Sequence, residues 1–266
     1  MDISFVILTW NSEKYIGKCL TSLLTDLKEN RFLYEIFIID NGSIDNTASI
    51  INSFKAKYHK HILTIFLNKN RGTTYSRNLA LKKARGKYVI IMDSDIEVLR
   101  GTIAPLIDTL NKDNKTGLVV PKLLYPNGNL QKSTDVFPTI FTKLFRYFFL
   151  KRIEKKDNEL KQKLRPKYVD YAISAFWVLK KQVIEKVGLL DENIFYAPED
   201  VDYCLRIWNA GYKILYVPNV AVIHHAQEIS RGLKLNFVTI NHIKGLIYYF
   251  RKHKYIFIPP KRDLFK

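Results

Sequence analysis

The chain has 266 residues, of which 47% are hydrophobic, and this excludes a largely disordered protein. Its formal net charge of +18 indicates a partner with many negative charges, namely nucleic acid, an acidic membrane face or a phosphorylated substrate. The start of the chain resembles no secretory leader, no apolar run is long enough to span a bilayer, and Cys19 and Cys204 fall in apolar helix patterns. We therefore expect a cytoplasmic protein with two buried, free thiols.

The first hundred residues alternate between strand and helix patterns. Short apolar runs predict strands at Ile3–Leu8, Glu35–Ile39, Leu63–Leu67 and Tyr88–Met92. Apolar residues three and four positions apart predict helices at 15–27, 50–58 and Thr74–Ala84, the first of them capped by Asn11 or Ser12. This order predicts an α/β fold with a parallel sheet and right-handed crossovers. Ligands bind such sheets beyond the carboxyl ends of the strands, where Thr9, Asp40, Asn68 and Asp93 fall.

The pattern loosens after Asp95. The remaining predicted elements are an apolar stretch at Leu118–Leu124, a turn at 126–129, regular structure at Tyr168–Leu179, a helix at 182–187 and a strand at Ile214–Val217. Between them, residues 137–167 form a basic, aromatic insertion. We expect one continuous domain at 1–230, followed by a basic helical extension at 231–266.

Asp93 and Asp95 directly follow a buried strand. Two neighbouring carboxylates can hold a hard divalent cation, and such a cation can bind a diphosphate. Acidic pairs are also common on ordinary surfaces, so the position after the strand is what favours a metal site.

Glu199 and Asp200 precede an amphipathic helix with Val201, Cys204, Leu205 and Trp208 on one face. Acidic residues are favoured in the first turn of a helix for electrostatic reasons alone, and a carboxylate there can also act as a general base. Asp202 has the spacing for an ion pair with Arg206.

Three further positions have both a structural and a functional interpretation. Asp40 is either a turn residue in Asp-Asn-Gly-Ser or a ligand for a base or ribose. Arg77 is either a solvated helix charge or a contact to a pyrophosphate. At most one of His224 and His225 is expected to be a ligand, because neighbours on a strand point in opposite directions.

Taken in order, these motifs resemble the family-2 glycosyltransferases of the GT-A fold. The resemblance covers residues 3 to about 230. Its segments are Val6–Asn11, Ile39–Thr47, Asn70–Tyr88, Asp93–Asp95, Val187–Glu192, Glu199–Asp202 and Arg206–Pro218. It implies a Rossmann-like, mostly parallel central sheet flanked by helices, with a nucleotide-binding half at 1–100 and an acceptor-binding half at 101–230.

The resemblance implies an inverting transferase that moves a sugar from a nucleotide diphosphate donor, dTDP-rhamnose or a UDP-sugar, to a hydroxyl of a surface-glycan or lipid-linked acceptor. Asp200 would be the base, with Glu199 beside it. Mg²⁺ or Mn²⁺ would bind Asp95, with Asp93 and His224. Asp45 would support the turn that binds the nucleotide. The residues implied in nucleotide-sugar binding are Thr9, Asn11, Asp40, Asn70, Arg77, Asp93 and Ser94.

Within the family, the acidic helix, His224 and Tyr249–His253 look most like rhamnosyltransferases. The sequence departs from relatives at Ser174–Trp177 and at Phe195–Pro198. The basic segment 137–167 suits either an acidic membrane surface, peripheral on the inner face of the cell membrane, or a lid or homodimer contact. Two other functions remain as alternatives: a nucleotide-sugar binder without catalysis, and a nucleic-acid-binding protein, although the sequence contains no recognition motif for nucleic acid.

Overall fold

The structure is a computed structural model that describes residues 1–30, 32–139, 141–142, 165–226 and 237–260. Its strands are β1 (Ile3–Thr9), β2 (Tyr34–Asp40), β3 (Ile62–Phe66), β4 (Tyr88–Asp93), β5 (Ile96–Val98), β6 (Thr116–Leu124), β7 (Leu130–Gln131), β8 (Thr134–Asp135), β9 (Lys167–Tyr168), β10 (Tyr171–Ala172), β11 (Phe176–Lys180) and β12 (Lys213–His224). Its helices are α1 (Ile16–Lys28), α2 (Thr47–Lys57), α3 (Thr73–Leu81), α4 (Ile103–Asn111), α5 (Lys181–Val187), α6 (Glu199–Asn209) and α7 (Phe237–His253).

The central sheet has the strand order β3-β2-β1-β4-β11-β6-β12-β5. Strands β1 to β4 are parallel to one another, and β6 is parallel to β12, whereas β11 and β5 run antiparallel to their neighbours. The predicted α/β fold with a mostly parallel central sheet is therefore confirmed.

Alternate residues of β1 belong to different hydrophobic clusters. Phe5 and Ile7 pack in a cluster that includes residues of α1 and α4, and Val6 packs in one that includes residues of α3, α5 and α6. Because side chains of a strand alternate between its faces, a nearly continuous apolar strand is covered by helices on both sides. The sheet edge that carries the polar strand ends is thereby held between two packed layers.

The predicted cap of α1 was wrong. Tyr15 occupies the N-cap position, and no side chain caps the helix. The backbone carbonyl of Ser12 accepts hydrogen bonds from the N–H groups of Tyr15 and Ile16 instead. The Asn11 side chain is used elsewhere, since its Oδ1 accepts the backbone N–H of Ile44 at 2.9 Å.

The sequence analysis missed β5 and α4. Helix α4 has a regular apolar face of Ile103, Leu106, Ile107 and Leu110. Its first N–H groups are satisfied by the fully buried Asp26 carboxylate of α1, which accepts from Gly101, Thr102 and Ile103. A cap supplied by another helix leaves no local signal, and this explains the omission.

The structure describes only part of each of the two predicted basic segments. Residues 140 and 143–164 of the predicted insertion and residues 231–236 and 261–266 of the predicted extension lie outside the described residues, and the described part of the extension contains α7. In the described part of the chain, no helix has both the length and the apolar character required to cross a bilayer. Both cysteines are buried free thiols, as predicted.

Candidate active site

The polar ends of three parallel strands meet at one edge of the sheet. Thr9 at the end of β1 lies opposite Asp40 at the end of β2, and Leu8 lies opposite Asp93 at the end of β4. Thr9 is buried, and its Oγ1 has no hydrogen-bond partner among the described residues. The structure thus places Thr9, Asp40 and Asp93 at the same edge of the sheet, as predicted from their positions at the carboxyl ends of parallel strands.

Asp40 begins a tight turn. Its Oδ1 accepts the backbone N–H of Ser43 at 3.0 Å, so the turn interpretation holds for this oxygen. Asp45 supports the same turn by accepting the backbone N–H groups of Glu13 and Thr47. The Asp40 side chain is buried at the edge of the sheet, next to Thr9.

Asn41 connects this turn to the start of α3, and the sequence analysis did not select it. Its Nδ2 donates to Asn70 Oδ1 at 2.9 Å, and its Oδ1 accepts from the Arg71 N–H and the Ser76 hydroxyl at 2.8 Å each. Asn70 Oδ1 also accepts the N–H of Gly72. The predicted nucleotide contact Asn70 therefore holds the loop itself, and Asn41 is the buried centre of that loop.

Three side chains form a cluster that could hold a metal ion, and we call Asp93, Asp95 and His224 the cation cluster. Their potential ligand atoms all lie within 4.8 Å of one another. His224 Nε2 is 3.3 Å from Asp95 Oδ1, but without the geometry of a hydrogen bond, and this buried oxygen has no hydrogen-bond partner in the described part of the chain. A buried carboxylate oxygen without a partner is costly, so it favours a cation as its ligand.

Gln131 orients the imidazole of the cation cluster. Its Oε1 lies 2.7 Å from His224 Nδ1, and because a carbonyl oxygen can only accept, Nδ1 must carry the hydrogen. In the neutral ring the lone pair is then on Nε2, the nitrogen that faces Asp95. Metal-ligating histidines are commonly held in this way, so the donor set fits a divalent cation. Gln131 was missed because it lies on a two-residue strand far from His224 in sequence.

Asp93 is half-buried and next to a second carboxylate. Burial raises the pKa of Asp93 above its ordinary value, and although the Arg77 guanidinium opposes this shift, the charge of Asp95 adds to it. A cation would relieve the repulsion between Asp93 and Asp95. Without a cation, the cluster is therefore electrostatically unfavourable when both carboxylates are charged.

Arg77 is buried, and the alternative of a solvated helix charge was wrong. Its Nη2 donates to Asp93 Oδ1 at 2.6 Å, and its Nη1 donates to Ser174 Oγ at 2.7 Å and lies 3.5 Å from Glu199 Oε1. The side chain is 2% exposed. Arg77 therefore joins the cation cluster to the start of α6.

Glu199 and Asp200 have different environments at the start of α6. Glu199 is buried and accepts the Ser174 hydroxyl at 2.8 Å. Burial, with the charge of Asp200 adding to it, raises the pKa of Glu199 to about 8, despite Arg77. Asp200 is half-buried, and its Oδ1 accepts the backbone N–H of Val201 at 2.8 Å.

The remaining predicted residues, Ser94, His225 and Asp202, each contact another side chain of the protein. Ser94 is buried, and its hydroxyl donates to the Ser12 hydroxyl at 2.8 Å. His225 Nε2 lies 3.2 Å from Glu97, away from the cation cluster, as the alternation of a strand requires. Asp202 and Arg206 form the predicted ion pair, with Arg206 Nε 2.9 Å from Asp202 Oδ2.

The sequence also matches a known family over most of its length, with residues 4–188 matched to the family described as glycosyl transferase family 2. The chain belongs to glycosyl transferase family 2. The predicted family and the enzyme class are therefore confirmed.

Two relatives in this family are similar to much of the chain. The Methanococcus voltae dolichyl N-acetyl-α-D-glucosaminyl phosphate 3-β-D-2,3-diacetamido-2,3-dideoxy-β-D-glucuronosyltransferase is 23% identical over 261 residues, which cover 92% of this chain and 73% of that protein. The Staphylococcus aureus poly-β-1,6-N-acetyl-D-glucosamine synthase is 27% identical over 216 residues, which cover 81% of this chain and 48% of that protein. The chain thus spans about half the length of the second relative.

A solved structure supports the same fold. The crystal structure of GalNAc-T7 with UDP, GalNAc and Mn²⁺ matches with a TM-score of 0.71 at 19% identity, over 95% of this chain and 48% of that one. At this identity the similarity establishes the fold alone. The GT-A fold predicted for this family-2 glycosyltransferase is confirmed.

Proposed function

We propose that this glycosyltransferase moves a sugar from a nucleotide diphosphate donor to a hydroxyl group in one displacement that inverts the anomeric configuration. The observation that carries the proposal is the continuous chain of contacts from Asp93 through Arg77 to Ser174 and Glu199. It holds the carboxylates predicted to bind the cation and those predicted to bind the acceptor at a fixed separation. Such fixed positioning is what a displacement between two bound substrates requires.

On the donor side, Thr9, Asp40 and Asn11 border the edge where the base and ribose would bind. The unsatisfied Thr9 hydroxyl and the Asp40 carboxylate offer polar contacts there. Arg77 acts indirectly, because its Nη2 donates to Asp93 and its Nη1 donates to Ser174, whereas its buried Nε has no hydrogen-bond partner among the described residues. We therefore reassign Arg77 from a pyrophosphate contact to a positioning residue.

Asp95, Asp93 and His224 would hold Mg²⁺ or Mn²⁺. A bound divalent cation would supply charge neutralisation for the departing diphosphate. The match with a Mn²⁺-containing structure supports this assignment, as does the unsatisfied Oδ1 of Asp95. His224 Nε2 would complete the donor set.

On the acceptor side, Asp200 would be the general base. It is more exposed than Glu199, whose carboxylate is already engaged by Ser174 and Arg77. Asp200 would accept the proton of the acceptor hydroxyl, while the oxygen of that hydroxyl forms the new bond to the anomeric carbon. The bond from that carbon to the diphosphate oxygen breaks, and its electron pair leaves with the diphosphate.

The donor, the acceptor and the two halves of the domain are finer parts of the same proposal. We assign the donor to the half at 1–100, with dTDP-rhamnose or a UDP-sugar as the donor. We assign the acceptor to the half at 101–230. The name of the Methanococcus voltae relative specifies an acceptor linked to dolichyl phosphate, which supports a lipid-linked acceptor here.

A thermal-shift screen of UDP-, dTDP- and GDP-sugars, each with and without Mn²⁺, tests the donor assignment. A ligand that binds only the folded state raises the midpoint of unfolding, by an amount equivalent to about 2.7 kcal/mol at a hundred times its Kd. We expect one nucleotide class to stabilise the protein only with Mn²⁺. If no sugar nucleotide does so, the proposal is wrong.

Asp200→Asn separates a catalyst from a binder. The variant should keep the metal-dependent donor stabilisation and lose turnover by roughly 10²–10⁴-fold, because the amide cannot take the proton. Asp108→Asn, an exposed aspartate of α4, is the matched control and should change neither property. Full turnover in Asp200→Asn would refute the base assignment, and a wild type that binds donor without any turnover would indicate a non-catalytic binder.

A further inference from the structure

Helix α7 has two different faces, and the inner one is packed on the acceptor side of the enzyme. Tyr249 is fully buried, and Gly245 lies so close to the carbonyl of Ala197 that no side chain would fit there. Lys252 Nζ lies 2.6 Å from Asp191 Oδ2 and 2.7 Å from Asp202 Oδ1. The inner face is therefore fixed to α6 and to the loop before it.

The outer face of α7 carries an apolar stripe with basic residues along it. Exposed residues recur at spacings of three and four, which places Ile240, Ile243, Lys244, Ile247 and Arg251 on one side of the helix, and the exposed Lys254 directly follows the helix end. Ile243 is 48% exposed and Ile247 is 54% exposed. We call these six residues the outer stripe.

The apolar surface continues beyond the end of the helix. Ile256, Phe257 and Ile258 are exposed, and the ring of Phe257 lies 5.8 Å from the ring of Phe141, between centroids. Phe141 is itself 64% exposed and stands at the start of the basic, aromatic segment that follows it in sequence. Exposed apolar side chains from positions more than a hundred residues apart in sequence thus meet at this point.

The charge of this surface is of one sign. The charged residues of the outer stripe are Lys244, Arg251 and Lys254, and residues 237–260 contain no Asp or Glu. Aliphatic side chains gain from burial in an acyl layer, whereas lysine and arginine gain from acidic headgroups. A nucleic acid would satisfy the charges but would leave the isoleucines in water.

We propose that the outer stripe, together with residues 256–258 and Phe141, is a docking surface for an anionic lipid bilayer, with α7 lying in the plane of the interface. Because the inner face of α7 is fixed to the loop that leads into Glu199 and Asp200, docking would hold this acidic pair at a set height above the lipid. That consequence rests on the proposed function, whereas the docking itself does not.

Sedimentation of the full chain with vesicles tests the proposal. One set of vesicles is mixed from phosphatidylcholine and phosphatidylglycerol, and the other is phosphatidylcholine alone. We expect binding to the anionic set that weakens as salt rises, because attraction to headgroups is screened. The double variant Ile243→Ser/Ile247→Ser should lose about tenfold or more in vesicle affinity, since it removes apolar groups from the bilayer.

Two further variants keep the test independent of folding. Lys244→Glu/Arg251→Glu should also weaken binding to anionic vesicles, and it leaves the isoleucines in place. Leu33→Ser/Ile44→Ser removes two exposed apolar side chains elsewhere on the surface and should bind as the wild type does. A thermal midpoint equal to that of the wild type verifies that each variant is folded.

Three results would overturn the proposal. The first is vesicle binding that both outer-stripe variants leave unchanged. The second is binding lost only when Lys151, Arg152, Lys155 and Lys156 are replaced by Glu, which would assign docking to the other segment alone. The third is a wild-type dimer that ignores vesicles and becomes a monomer in Ile243→Ser/Ile247→Ser, which would make a second copy the occupant. The assay contains no sugar nucleotide, so its outcome does not depend on whether the chain transfers sugar.

Discussion

The cation cluster and the acidic pair of α6 both contain carboxylates, but these differ in whether the protein supplies their hydrogen-bond partners. Asp95 Oδ1 of the cation cluster is buried and has no hydrogen-bond partner among the described residues. Glu199 accepts from Ser174 and lies beside Arg77. A carboxylate without partners is prepared for a ligand from outside, whereas one with internal partners is held in position. We infer that the cation cluster can take an external ligand, whereas Glu199 is held in position by its partners within the protein.

Arg77 is the element that the two sites share. One guanidinium donates to Asp93 and to the Ser174 hydroxyl, which in turn donates to Glu199. Changes at Arg77 should therefore affect both sites, whereas changes on either side of it should affect one.

The largest expected effect is that of Asp95→Asn. The variant removes the charge of the unsatisfied carboxylate, so Mn²⁺ affinity should fall below detection and turnover should drop by roughly 10³-fold, an amount comparable to the loss of a major electrostatic stabiliser. Isothermal titration with Mn²⁺ alone and a turnover assay measure the two quantities. Mn²⁺ binding that survives the substitution would exclude Asp95 as a ligand.

Next in size is Arg77→Met. Removal of the buried guanidinium leaves Asp93 and Glu199 without their cation, and the free energy of unfolding should fall by about 3 kcal/mol. Urea denaturation measures this change. Lys82→Met, at the end of the same helix but exposed, is the control and should cost much less. Equal losses in the two variants would show that Arg77 is not the shared support.

Gln131→Leu should have a smaller effect that is confined to the cation cluster. Without the amide oxygen, the His224 ring loses the contact that fixes its tautomer, and Mn²⁺ affinity should fall by about 10–100-fold. The dependence of the thermal midpoint on pH that comes from Glu199 should be the same as in the wild type. Gln182→Leu, an exposed glutamine of α5, serves as the matched control.

The last expected effect is a dependence of protein stability on pH that comes from Glu199. The folded-state pKa is raised from 4.5 to about 8, so the folded protein binds this proton more tightly than the unfolded chain does. The stability contributed by the protonated side chain is fully present below pH 4.5 and is lost as the pH rises through about 8.

Glu199→Gln cannot lose that proton. Its thermal midpoint relative to the wild type should therefore increase steadily over this range of pH. The exposed Glu185→Gln should show no such trend. A constant difference between Glu199→Gln and the wild type would mean that Glu199 does not titrate there.

The sequence predicted the elements whose signals are local. The bounds of β1 to β4 and of α1 to α3 differ from the predicted ones by only a few residues, because buried parallel strands are continuous apolar runs. The Asp202–Arg206 pair was predicted for the same reason, since four residues of helix place the two side chains together. The helix cap supplied by Asp26 and the extension of β12 past Pro218 through a bulge had no such signal.

The environment of the candidate site depended on long-range contacts. Arg77 and Ser174 are 97 residues apart, and His224 and Gln131 are 93 apart. A pattern in one stretch of sequence cannot report on a partner at that distance. Candidate residues could therefore be named from motifs, but neither the burial of Arg77 nor the role of Gln131 could be.

Gly72 shows how closely the start of α3 packs against the loop before α6. Its φ of +85° suits glycine, and a Cβ at this position would collide with the backbone oxygen of Phe195. The next residue, Thr73, donates its N–H to that same oxygen at 2.7 Å. The helix that carries Arg77 and the loop that leads into Glu199 are thus seated against each other without a side chain between them. Any larger residue at position 72 would push these two segments apart, so one substitution would disturb the positions of both Arg77 and Glu199.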